Sequence, residues 1–166
     1  MKNFGKLAAC FLFLSLAQLA FAQPKPISLA DKKGRALNLD FEDGTLRDWV
    51  VEGNAFEKQP VHGDTVAKRN GPGGTSGQQG AFWIGGYEIA GDDAMGKMTS
   101  APFKVTQRWA SFLVGGGNWN ATRVELVEKK SGKAFFKISG ENSEHLRRVV
   151  VDLEKQRGQE IFIRLV

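Results

Sequence analysis

The stretch FLVGGGNWNATRVELVE, residues 112 to 128, divides into an apolar run, a loop and an alternating run. Phe112, Leu113 and Val114 give the signal of a buried strand. From Thr122 the period becomes two, which sets Val124 and Leu126 on one face and Arg123 and Glu125 on the other. Arg123 and Glu125 are therefore expected as neighbours on an outward surface. Between the runs, Gly115, Gly116 and Gly117 allow positive φ or a close backbone approach. Asn118, Trp119 and Asn120 then set an indole between two amides. An aromatic face beside polar hydrogen-bonding groups suits a sugar ring. The competing reading is that the glycines only turn a corner and Trp119 covers the end of the core.

The flanking sequence repeats the strand pattern. Lys133 to Ser139 (KAFFKIS) is predicted to pair back through the turn Lys130-Ser131-Gly132, and Arg147 to Leu153 alternates with Val149, Val151 and Leu153 facing in. Ile161 to Val166 follows, with Ile161, Ile163 and Leu165 on one face. Upstream, Leu37 to Phe41 alternates as a first strand ahead of the turn Glu42-Asp43-Gly44. Trp49 to Glu52 with Ala55-Phe56, Ala81 to Glu88, and two pieces around Pro102 supply the others. Glu57 to Gly80 carries glycines and prolines with almost nothing to bury, and reads as a surface excursion. Short strands separated by turns, with no helical period, predict an all-β fold, an antiparallel β-sandwich. A strand that stops on Arg164-Leu165-Val166 would leave an apolar edge unpaired, so the last strand of the sandwich is expected to be missing.

The ends and the composition set the compartment and the partners. Lys2 and Lys6, the apolar run Leu7 to Phe21 and the small residues Ala20 and Ala22 predict a signal peptide over 1–22, then a leader over 23–36 and the module over 37–166. The protein is thus expected to be secreted or periplasmic. Cleavage removes Cys10, the only cysteine, so neither a disulfide nor a thiol nucleophile remains. It also lowers the net charge from +5 to +3. The remaining cations alternate with acids (Arg47-Asp48, Glu57-Lys58, Glu128-Lys129), which argues against a nucleic-acid partner, and no later run is long enough to span a membrane.

Catalytic chemistry is hard to find. The acids are scattered, and His62 and His145 have no partner nearby in sequence. Asp40 and Glu42, next to Asp43, are hard oxygen donors that suit calcium. They read equally well as a solvated acidic turn.

LDFEDGTLRDWVVEGNAF (39–56), FWIGGYE (82–88), MTSAPFKV (98–105), SFLVGGGNWNATRVELVE (111–128), GENSEHLRRVVVDL (140–153) and the closing RGQEIFIRLV together cover nearly all of the mature chain. In this order they resemble a secreted jelly-roll module that accompanies bacterial glycoside hydrolase family 32 enzymes, the levanases and fructanases, and large exported planctomycete-type proteins. The resemblance implies a galactose-binding-like sandwich with a non-catalytic, carbohydrate-binding role toward fructan-type polysaccharide, and favours structural calcium at Asp40 and Glu42. A sugar would stack on Trp119 or Tyr87, with Asn118, Arg123 and Glu125 binding hydroxyls. The alternative is a structural or protein-interaction sandwich.

Overall fold

The computed structural model describes residues 27–71 and 73–166; the expected signal peptide and the first residues of the leader lie outside them. In chain order the strands are β1 (Trp49–Gly53), β2 (Val61–His62), β3 (Phe82–Trp83), β4 (Gly96–Ser100), β5 (Phe103–Lys104), β6 (Trp109–Gly116), β7 (Val124–Glu128), β8 (Ala134–Ile138), β9 (Ser143–Asp152) and β10 (Glu160–Leu165). Two short helices, α1 (Thr65–Asn70) and α2 (Gly86–Ala90), precede and follow β3. One layer is a six-stranded sheet in the order β1-β4-β10-β7-β8, with β5 also paired to β10; β6 and β9 form a second sheet, and β2 and β3 a small separate ladder. All of these pairs are antiparallel, as the sequence predicts. Among the described residues no helix is long and apolar enough to cross a membrane.

The core lies between the two layers. Leu126 and Ile161 from the large sheet meet Val114, Val149 and Val151 from the β6–β9 pair, with Leu37, Phe103, Val105 and Leu153 around them. Phe112 and Phe136 touch edge to face across the gap at 6.3 Å. The alternation of β9 holds as expected: Val149 and Val151 are buried while Val150 between them is exposed. Where Pro102 parts β4 from β5, the Ser100 hydroxyl accepts the Ile163 N–H at 2.9 Å, satisfying a donor that the broken strand leaves over.

Four expectations fail, each for a physical reason. Leu37 to Phe41 is not a strand. Polar side chains take its backbone groups before a ladder can form. Asp48 accepts the Asn38 N–H at 2.9 Å, the Asn38 amide donates to Asp43 at 2.7 Å and to the Thr45 carbonyl at 2.8 Å, and the Trp49 indole donates to the Asn38 carbonyl at 2.9 Å. Phe41 adopts φ +66° and stacks on Trp49 at 5.0 Å.

The stretch 57–80 is not featureless either. It holds β2 and α1, and buries Val61, Val66 and Ser76. One carboxylate ties its two halves together: Asp64 caps α1 through the N–H groups of Val66 and Ala67, and accepts the Thr75 hydroxyl at 2.5 Å and the Ser76 N–H at 2.9 Å. The Ser76 carbonyl in turn accepts the Leu146 N–H at 2.6 Å, docking the excursion on β9. Of Ala81 to Glu88 only Phe82 and Trp83 are strand, and Gly86 opens α2.

The fourth correction concerns the last strand. β10 is not an unpaired edge but an interior strand, bonded to β4 and β5 on one side and β7 on the other. Val166 exchanges N–H and carbonyl bonds with Arg123, each at 3.0 Å.

Asp48 anchors the irregular segment ahead of β1. Its carboxylate meets Arg35 at 2.5 Å and Arg47 at 2.8 Å. The Arg35 hydrogen bond, helped by the Asn38 N–H and outweighing the cost of burial, lowers its pKa to about 2. Because the folded value lies below the unfolded one of about 3.9, this contribution is present above pH ~4 and lost as the pH falls toward ~2. Both arginines are half exposed, so screening limits it to on the order of 1–2 kcal/mol. Acid titrations of wild type and Asp48→Asn should differ in slope in this window and run parallel above it; identical slopes would contradict the assignment.

Candidate functional site

At one end of the sandwich the β6–β7 loop faces the β8–β9 loop across a groove of about 260 Å³. Asn118, Asn120, Arg123, Lys137, Ile138, Ser139, Gly140, Glu141 and Arg147 line it. Three hydrogen bonds hold the loops together or stiffen one of them. Ser139 donates to the Trp119 carbonyl at 2.8 Å, Asn142 accepts the Asn118 N–H at 2.9 Å, and the Arg123 guanidinium donates to the Asn120 carbonyl within its own loop. Gly140 must be glycine because a Cβ there would strike the Gly116 carbonyl. Ile138, at the margin of the core, gives the groove an apolar patch.

Trp119 is 67% exposed, so it does not cover the end of the core. Its ring lies over Gly117, where an added Cβ would sit 2.5 Å from Cδ1. Gly117→Ala is expected to swing the indole away while changing stability by under about 1 kcal/mol, since the ring is free to move into solvent. The Trp119 indole N–H resonance should shift in an amide correlation spectrum; an unmoved resonance would contradict the packing.

Glu125 does face outward with Arg123, but it is not free to meet solvent. Its side chain is only 3% exposed, beneath Arg123 (2.7 Å), Arg164 (3.0 Å) and Lys137 (3.5 Å). Burial alone would push its pKa up; the Arg123 hydrogen bond and the three positive charges outweigh that and hold it below the ordinary value. The carboxylate therefore positions cations and does not line the groove.

Of the expected ligand residues, Asn118 and Arg123 line the groove, and Trp119 projects from the loop between its lining residues Asn118 and Asn120. Tyr87 does not join them. It sits on α2 with its ring under Arg69 at 5.0 Å. Asp40 and Glu42 also serve local structure. Both Glu42 oxygens accept the Ala81 N–H (3.1 and 2.9 Å), one also accepts the Phe82 N–H at 3.2 Å, and Asp40 accepts the Glu42 N–H at 3.3 Å. Asp43 is turned onto Asn38, Thr45 and Arg47. Among the described residues no three acidic, histidine or cysteine side chains converge. Two carboxylates so engaged fall far short of the roughly 6–8 oxygens of a calcium shell, and the pair does not fit that ion. His62 packs on Phe82 at 4.9 Å, and His145 lies 3.4 Å from the Thr75 carbonyl.

Sequence reasoning missed Lys137, Ser139, Glu141 and Arg147. One signal was present. Arg147 stands two residues before Val149 in the inward row, so a cation occupies a position that the alternation reserves for the core.

The chain is similar to part of a protein that carries a hydrolase name. Over 131 residues it is 36% identical to a protein of Aspergillus rugulosus called, by name only, a glycosyl hydrolase, ecdE. The match takes in 76% of this chain and 18% of that protein's length. No protein-family model matches the chain, and no solved structure matches it.

Proposed function

We propose that the chain is a non-catalytic carbohydrate-binding module of an exported glycosyl hydrolase. The observation that carries this reading is an exposed indole beside a small groove of amides and cations. A sugar's C–H face stacks on Trp119 while Asn118, Asn120 and Arg123 meet its hydroxyls. The volume is near the lower end of ligand clefts, about 300 Å³, which suits one sugar residue of a chain that continues into solvent. The similarity to a fragment of a hydrolase-named protein supports a role beside such an enzyme. Levan and inulin, to which the family resemblance points, are the first polysaccharides to try.

Retention on immobilised levan, inulin, cellulose and pectin tests the reading. Binding to at least one, lost in Trp119→Ala, is expected. No retention on any of them would overturn it.

A further inference from the structure

Which carbohydrate the groove takes is written in its charge. Arg123, Lys137 and Arg147 line it against a single acid, Glu141. Glu125 lies beneath and is already shared among Arg123, Lys137 and Arg164, so the six charged groups in and under the groove leave an excess of positive charge.

The lining cations are also placed to meet a ligand. Lys137 is more than half exposed and only 3.5 Å from its partner carboxylate, a loose contact. Arg147 approaches the groove from the inward row of β9, where the core gives out; its Nη2 donates to the Ser139 carbonyl at 3.5 Å, and its buried Nε, which has no hydrogen-bond partner, faces Glu141. It meets Glu141 at 3.0 Å, but Glu141 is 64% exposed on the β8–β9 loop and can swing out. The guanidinium of Arg147 thus reaches the groove without a hydrogen bond at Nε and faces there a carboxylate on a movable side chain. Such an arrangement lets a carboxylate from a ligand replace Glu141 on the same guanidinium, in the planar two-pronged geometry that arginine favours.

We infer that this groove takes acidic glycans, those bearing uronic acid carboxylates, in preference to neutral ones such as fructans; the inference rests on the carbohydrate-binding reading above. The ligand carboxylate occupies the place of Glu141 at Arg147 and Lys137, and the sugar ring lies toward Trp119. Neutral sugars must leave the excess positive charge to water.

The test is calorimetric titration of the protein with short oligomers of galacturonate, mannuronate and guluronate, each against its own methyl ester, with citrate as an anion that is not a sugar. At least one acid should bind about tenfold or more tighter than its ester, as charge-assisted bonds imply. That margin should shrink in 1 M salt, where the screening length is ~3 Å, and in Lys137→Gln and Arg147→Gln. Glu141→Gln should widen it. Melting curves show whether Arg147→Gln remains folded, and the exposed Lys137→Gln carries the test if it does not. An ester that binds as well as every acid overturns the charge preference and leaves carbohydrate binding standing. Citrate binding as tightly as the best oligomer overturns both. If no oligomer or ester binds, this inference fails, and the broader reading stands or falls on the polysaccharide retention above.

Discussion

Truncating Ile161 to alanine is expected to destabilise the protein by about 3–5 kcal/mol, the upper range for opening a cavity in a packed interior. Ile161 is fully buried, pairs with Phe103 on one side and Glu128 on the other, and belongs to the cluster that joins the two layers. The cavity would be closed on all sides by neighbouring strands that cannot collapse without losing their ladders. Out of a typical total of about 5–15 kcal/mol, such a loss leaves the fold marginal. Denaturant melts of wild type and variant measure it directly through the midpoint at constant slope. A loss below about 1 kcal/mol would mean that β10 frays as an outer strand does. Valine at the same position should cost only about 0.5–1.5 kcal/mol.

Glu125→Ala should come next, at about 3 kcal/mol, because removing one member of a buried ionic cluster strands the others. Arg123 and Arg164 are mostly covered and would lose their shared acceptor; Lys137 is exposed and can turn to solvent. Lys137→Met is therefore expected to change stability by under about 1 kcal/mol. The contrast between the two variants separates a structural carboxylate from a ligand-binding one. If Glu125→Ala melted like wild type yet failed to bind glycans, the carboxylate would belong to the binding surface. Acid should reproduce part of the effect. Since the folded pKa lies below the ordinary value of about 4.3, the stabilisation holds above that pH and is lost as the pH falls through the lower, folded value.

The strands legible in the sequence are those whose side chains alone decide which face is buried. Val149, Val151 and Ile161 are buried as the period of β9 and β10 indicates, and the turn Lys130-Ser131-Gly132 announces the β7–β8 hairpin. The partners of Glu125 were not legible, and a bulge explains why. Val127 faces Ala134, but Leu126 faces Phe136 and not Phe135, so the register slips by one residue. Counting back from the turn would set Glu125 against Phe136; the slip brings Lys137 there instead. A bulge leaves little mark on composition. Leu37 to Phe41 misled for the opposite reason, since its period is right but Asn38 and Asp48 offer the backbone better partners than a neighbouring strand. Tyr87, Asp40 and Glu42 were chosen for chemical type, and only the fold could show that Arg69 and the amides of Ala81 and Phe82 already hold two of them. The groove itself depends on two loops that the β7–β8 hairpin separates in sequence and brings together in space.

The central place of β10 also sets a timetable for synthesis. β7 and β8 can pair as soon as their hairpin emerges from the ribosome, and β1 with β4 once the segment carrying β2, α1, β3 and α2 has followed; among the described residues β10 alone joins these two half-sheets. Until it arrives, each half presents an open apolar edge, the kind of surface on which nascent chains associate. The nascent protein thus waits on one late segment, six residues long, before its large sheet closes.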